Sequence, residues 1–194
     1  QLGLMAEVAP EEQAAPQRRL REGDYETVER TRLEVRAERD GRELARYLAL
    51  NDAVITRSEL SRMIDLEMLA DGAPVTTYHG DGLIVSTPTG STAYTLSAGG
   101  PILLTGSRVF VLTPICPHTL TQRPLVLSET SRLEIQVFPR EGHAQLTVDG
   151  QTGLTLEGGD RIFVAASERP VHFVVDPYRS RFDVLRTKLG WGAG

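Results

Sequence analysis

From residue 32 onward the chain alternates between apolar and polar side chains. In RLEVRAER, Leu33, Val35 and Ala37 fall between Arg32, Glu34, Arg36 and Glu38. This period of two puts one face of a strand in a core and the other in water. Asp40-Gly41 then supplies a type I′ turn signal, and a second run returns through RELARYLAL. The design recurs: Ile64, Leu66 and Met68 alternate with Asp65 and Glu67 ahead of Asp71-Gly72. Leu133, Ile135 and Val137 alternate with Arg132, Glu134 and Gln136, and LTVDGQTGLTL turns at Asp149-Gly150. RIFVAAS and HFVVDP close the series. Short strands separated by turn signals about every ten residues predict a mainly β protein built as an antiparallel β-sandwich.

Helical spacing is found in two places only, around Ser91 to Ala98 and at Phe182, Leu185 and Leu189. One short helix after the STPTGSTAY segment and one C-terminal helix are therefore expected. Residues 9–23 are polar and carry Pro10 and Pro16, which reads as a linker or a short amphipathic helix. The expected division is a linker over 1–24 and a β-sandwich domain over 25–194.

Composition narrows the partners. The 194 residues are 40% hydrophobic, enough for one sizeable core. Twenty-six acids against 21 bases give a net charge of −5, which disfavours a nucleic-acid binder. No apolar run is long enough for a helical membrane span. QLGLMAEVAPEEQ has no positive stretch followed by an apolar core, so it does not read as a signal peptide, and its start at Gln1 without an initiator Met is what a fragment would show. Cys116 is the only cysteine, which precludes an intramolecular disulfide and fits a cytoplasmic setting. His79, His118, His143 and His172 are scattered, without HxxxH or CxxC spacing, and no dedicated metal site is expected.

The densest chemistry lies in DGLIVSTPTGSTAY, residues 81–94. Leu83, Ile84 and Val85 read as a strand buried on both faces, which Pro88 ends because it cannot donate to a ladder. Thr89-Gly90-Ser91 bends the chain, and Ser91 or Thr92 is placed to cap a helix starting at Ala93. A helix start offers unpaired N–H groups to phosphate or ribose oxygens. Thr89, Thr92 and Ser97 add donors, Tyr94 a flat face, and Asp81 an acceptor. Two readings stay open on these residues alone: a well-capped structural turn, or a polar ligand pocket. The segment is neither a Walker loop nor the Rossmann fingerprint.

DGLIVSTPTGSTAYTLSAGGPI resembles the signature segment of the NAD kinase family. LALNDAVITR, PICPHTLTQRPLVL and FDVLRTKLGWG resemble further stretches of that family in order and spacing, and QLGLMAEV resembles the crossing between its two lobes. The likeness covers the second domain of a two-domain α/β kinase. It implies transfer of the γ-phosphoryl group of ATP, or of polyphosphate, to the adenosine-ribose 2′-hydroxyl of NAD, giving NADP. It also implies that Asn51 and Asp52 bind the adenine and ribose side. Thr89, Thr92, Ala93 and Tyr94 would line the pocket with Ser97 at its edge. Asp81 would meet the nicotinamide amide beside His79 from a neighbouring subunit, and Cys116 and Asp149 are further contacts. Homodimers or homotetramers packed through this domain are implied as well.

Two departures qualify the likeness. Position 52 is Asp where many members carry Glu, so the shorter side chain must sit closer to its ribose hydroxyl. The family's GGDG motif, whose Asp is the favoured base or Mg²⁺-organising group, lies in the first lobe. The one Gly-Gly-Asp here, Gly158-Gly159-Asp160, leads straight into RIFVAAS and reads as a strand turn. The expectation is that this chain binds NAD or NADP, that ATP and Mg²⁺ are held by the other lobe, and that the chain alone is inactive or nearly so. The alternatives are a non-catalytic dinucleotide-binding or oligomerisation module, a domain like that of the lipid kinases, or a purely structural sandwich.

Overall fold

The computed structural model describes residues 14–58, 63–175 and 180–191. The chain divides into two compact units, residues 31–170 and a smaller one made of the two chain ends, 1–30 and 171–194. In the smaller unit Ala14–Glu22 form helix α1 and Glu26–Arg30 form strand β1. The stretch read as linker or amphipathic helix is therefore helical over most of its length.

The larger unit contains strands β2 (Leu33–Arg39), β3 (Arg42–Ala49), β4 (Asp52–Arg57), β5 (Ile64–Ala70), β6 (Ala73–Gly80) and β7 (Gly82–Ser86). After the short helix α2 (Tyr94–Ser97) come β8 (Val109–Ile115), β9 (Leu125–Ser128), β10 (Leu133–Pro139), β11 (Ala144–Val148), β12 (Thr152–Leu156) and β13 (Arg161–Ala166). They build two antiparallel six-stranded sheets, ordered β3-β2-β13-β10-β5-β6 and β12-β11-β4-β7-β8-β9. In the smaller unit β14 (Val171–Val175) pairs with β1 alone, and helix α3 (Arg181–Leu189) follows. His172 to Val175 of HFVVDP thus pair in a separate two-stranded ladder and not in either six-stranded sheet, and the rest of that run lies outside the described residues.

The alternation read from sequence is what forms the core. Leu33, Val35, Ala37, Leu66, Met68, Leu133, Ile135 and Ile162 of one sheet meet Ile55, Leu83, Val85, Phe110, Leu112 and Leu146 of the other, all buried in one cluster. Each such large side chain contributes about 1.5–3 kcal/mol by leaving water. The hairpin turns are of the expected type. Asp40 and Gly41, Asp71 and Gly72, and Asp149 and Gly150 all have positive φ, between 49° and 79°, as type I′ requires.

The centre of the second sheet is covered on its outer side too: Val54, Ile84 and Val111 are buried although they point away from the inter-sheet core. The segment after β7 supplies the cover. A β-carbon on Gly100 would stand 2.6 Å from Thr113 Oγ1 on β8, so glycine allows that segment to lie directly against the sheet. This cover explains why Leu83-Ile84-Val85 is apolar throughout and fixes where the hydroxyl-rich bend must sit.

Candidate functional site

Strand β7 ends at Ser86, and the bend that follows is bonded to the chain entering β4. Thr87 is fully buried. Its amide donates to the Asn51 carbonyl at 2.9 Å, and its hydroxyl donates to the Leu50 carbonyl at 2.6 Å. The same hydroxyl accepts the Gly90 amide at 3.1 Å. Ser86 Oγ reaches the Asn51 carbonyl at 3.2 Å. Gly90 lies so close that a β-carbon there would be 2.1 Å from the Asn51 carbonyl oxygen. Two features of STPTG thus let the bend lie against Asn51: an inward hydroxyl at Thr87 and no side chain at position 90.

Asp149 holds the other side of the same turn. One carboxylate oxygen accepts the Leu50 amide at 2.8 Å, and the other accepts those of Asn51 at 2.7 Å and Asp52 at 3.1 Å. The Asp149 amide in turn donates to the Asp52 carbonyl at 3.0 Å. The left-handed backbone of the type I′ turn, φ 49° at Asp149, is what aims this side chain across from β11 to β4.

Asp52 is 5% exposed, and no described group donates a hydrogen bond to its carboxylate. Burial, reinforced by the negative charge of Asp149, pushes its pKa up to about 6. A buried acid with unused acceptor oxygens beside a rigidly held turn is suited to receive hydroxyl donors from a ligand.

The remaining predicted residues fall into two groups. Thr89, Thr92, Ala93, Tyr94 and Ser97 follow the bend directly. Tyr94 is 45% exposed, Ala93 and Ser97 are exposed, and Thr89 is buried. Asp81, His79 and Cys116 lie at the opposite end of β7. Its five residues separate them from the Asn51 turn by roughly 16 Å at about 3.3 Å per residue. There Arg57 Nε donates to Asp81 at 2.7 Å, and the Asp81 amide is bonded to the Ile115 carbonyl. His79 Nδ1 is 2.8 Å from Asp65. Burial alone would raise the Asp65 pKa, but His79 and Arg140 outweigh it and hold the carboxyl below its usual range. Cys116 is exposed, with φ 45°. The eleven candidates thus lie in two groups, one at each end of β7.

The expected short helix is present as α2, but its capping by Ser91 or Thr92 is corrected. Residues 90–92 form a single 3-10 turn and α2 has only four residues. Its N-cap, Ala93, has no side-chain cap. Ser91 Oγ donates to the Pro88 carbonyl at 2.7 Å and accepts the Leu103 amide at 2.9 Å, while Thr92 Oγ1 donates to the Thr89 carbonyl. These hydroxyls satisfy carbonyls behind them and leave no helix cap to make.

Gly158-Gly159-Asp160 is structural, as its sequence context implies. Asp160 is 1% exposed, accepts two hydrogen bonds from Arg39 at 2.8 Å each, and accepts the Glu157 amide. Burial works to raise its pKa, yet those donors hold it low. A groove of about 1300 Å³ on the outer face of the first sheet is a separate feature. Several of its charges pair with neighbours, Arg46 with Glu34 at 2.5 Å and Glu129 with Arg108, and Arg36 stacks on Phe163. Among the described residues no cluster of His, Cys, Asp and Glu is arranged to hold a metal ion.

Sequence reasoning missed the inward role of Thr87 and the structural use of Asp149. The six hydroxyl-bearing residues within 81–94 signalled the first, because so many exceed what a turn requires.

Comparison with known proteins bears on this arrangement. The family model for the ATP-NAD kinase C-terminal domain matches residues 50–175, which include both the Asn51 turn and the bend. The NAD kinase of Syntrophotalea carbinolica is 43% identical over 191 residues, covering 98% of this chain and 67% of its own length. Yeast NADH kinase complexed with NADH superposes with a TM-score of 0.91 at 26% identity, covering all of this chain and 59% of that one. An NAD kinase from Archaeoglobus fulgidus in complex with ATP gives 0.81 at 29% identity, over 97% of this chain and 70% of that one. The chain thus spans about three fifths to two thirds of the length of such relatives.

Proposed function

The chain belongs to the NAD kinase family, and from that premise we propose that it binds NAD or NADP at the Asn51–Asp52 turn and supplies the acceptor half of a kinase site. The reaction is phosphorylation of the adenosine-ribose 2′-hydroxyl by ATP or polyphosphate. The observation that carries this reading is the turn itself, locked from both sides, with a buried Asp52 carboxylate left open to a donor.

Asn51 presents its side chain to the adenine and ribose side, and Asp52 accepts a ribose hydroxyl. Thr89, Thr92, Ala93 and Tyr94 line the pocket with Ser97 at its edge. Holding an acceptor hydroxyl in one orientation is a large part of catalysing phosphoryl transfer, which asks little covalent chemistry of the protein. Mg²⁺ and the phosphoryl donor are assigned in this reading to the lobe that carries the family's GGDG motif. The separation of Asp81, His79 and Cys116 from the turn supports a homo-oligomer, dimer or tetramer, in which those residues complete the pocket of another copy.

Calorimetry with NAD and NADP tests the binding half. The chain is expected to bind both, and Asn51→Ala to weaken them; absence of binding by the unmodified chain overturns the reading. NADP formation from NAD, ATP and Mg²⁺ tests the rest. The isolated 194 residues are expected to be inactive, and turnover at an ordinary enzyme rate refutes the division of labour.

A further inference from the structure

Asp149 is read from the family pattern as a contact to the dinucleotide, but its hydrogen bonds assign it other work. Both carboxylate oxygens are occupied by protein donors, the consecutive amides of Leu50, Asn51 and Asp52, at 2.7 to 3.1 Å. Its own amide closes the ring to the Asp52 carbonyl. Three amides aimed at one carboxylate form an anion-binding concavity of the chain's own making, and the anion is already a side chain.

We infer that Asp149 is a positioning residue that sets the Asn51–Asp52 turn in its binding geometry without touching the dinucleotide. The inference rests on the proposed binding role of that turn. Its physical content is a division between two acids. Asp149 spends its charge on backbone donors, which are charge-assisted bonds of the stronger kind. Asp52, whose own amide is the last of those donors, has no described donor on its carboxylate, on which only burial and the Asp149 charge act. No charged residue lies within two positions of Asp52, and Asp149 is the ionised group acting on it.

Asp149→Asn is the variant of choice. Asn tolerates the left-handed backbone that the turn needs, so the hairpin is kept. Its NH₂ end faces an amide and cannot accept from it. The first readout is the Asp52 carboxyl carbon followed by NMR titration without ligand. In the unmodified chain it is expected to titrate near pH 6, and in Asp149→Asn it should move down because the neighbouring charge is gone while burial remains. The second is NAD affinity by calorimetry, expected to weaken about tenfold or more, the worth of one charge-assisted hydrogen bond.

The unmodified chain supplies a third readout that survives a failure of the variant to fold. Through-hydrogen-bond couplings should link the Leu50, Asn51 and Asp52 amides to the Asp149 carboxylate, and the Asp149 carboxyl resonance should stay still when NAD is added. Missing couplings, or an Asp149 signal that moves as a direct ligand contact would, overturn the inference. So does an Asp149→Asn chain with unchanged Asp52 titration and unchanged affinity. If NAD does not bind the unmodified chain at all, the proposed function fails, while the couplings and the ligand-free titration still decide the role of Asp149.

Discussion

Asp52 has an acid's cost and a binding group's posture at once. Its folded pKa, about 6, lies above the ordinary carboxylate value. The folded state therefore holds a proton that the unfolded chain has already lost, and stability falls as pH rises from about 4 to about 6. A shift of that size corresponds to roughly 3 kcal/mol at most. Asp52→Asn should flatten this part of the profile and leave the variant more stable than the parent above pH 6, as measured by urea denaturation at a series of pH values. Affinity for NAD should fall in the same variant. A variant that loses stability at neutral pH would mean that the Asp52 charge is satisfied by donors, contrary to its lack of described partners.

At the level of elements, the bend between β7 and α2 works because two local features fit the turn before β4. Gly90→Ala places a methyl 2.1 Å from the Asn51 carbonyl oxygen, and overpacking of this kind costs about 1–3 kcal/mol. The entropy that alanine saves in the unfolded chain is smaller than that. Thr87→Val keeps the volume and deletes the hydroxyl that joins the Leu50 carbonyl to the Gly90 amide. Leaving such groups unpaired in a buried place costs about 1–3 kcal/mol. Both variants should melt earlier in calorimetric scans and bind NAD more weakly. The strands and their turns were readable in sequence because their determinants are local: alternation within seven residues, and Asp-Gly wherever φ must be positive at two successive positions. The bend was only half readable. Its strand, its proline stop and its glycine were plain, but Ser91 and Thr92 fit a cap by type and spacing and instead bond carbonyls behind them. Asp149 was harder still. Its amide partners lie 97 to 99 residues away, and nothing within the VDG turn announces them.

At the scale of the whole molecule, strand β7 poses the central question, because the proposed ligand contacts lie at both of its ends. The Asn51 turn and bend flank Ser86, whereas Asp81, bonded to Arg57, precedes Gly82. Ladder pairing of β4 with β7 from Asp52↔Ser86 to Thr56↔Gly82 makes this separation rigid. No rotamer change can carry Asp81 across about 16 Å of buried strand. If both groups serve one dinucleotide, it either spans the strand or is shared by two copies of the chain, each giving a different end of β7, as the proposed oligomer has it. Complementation tests this directly. Chains bearing Asn51→Ala and chains bearing Asp81→Ala should each bind NAD poorly. Assembled together, they should regain part of the lost binding, because a site formed between unlike copies can combine one intact turn with one intact Asp81. Two-fold assemblies of this kind give one restored site for every one doubly damaged at an unlike-chain contact. Calorimetric stoichiometry on the mixed assembly counts the restored fraction. Failure to restore any site, with each variant folded and assembled, would confine the pocket to a single chain.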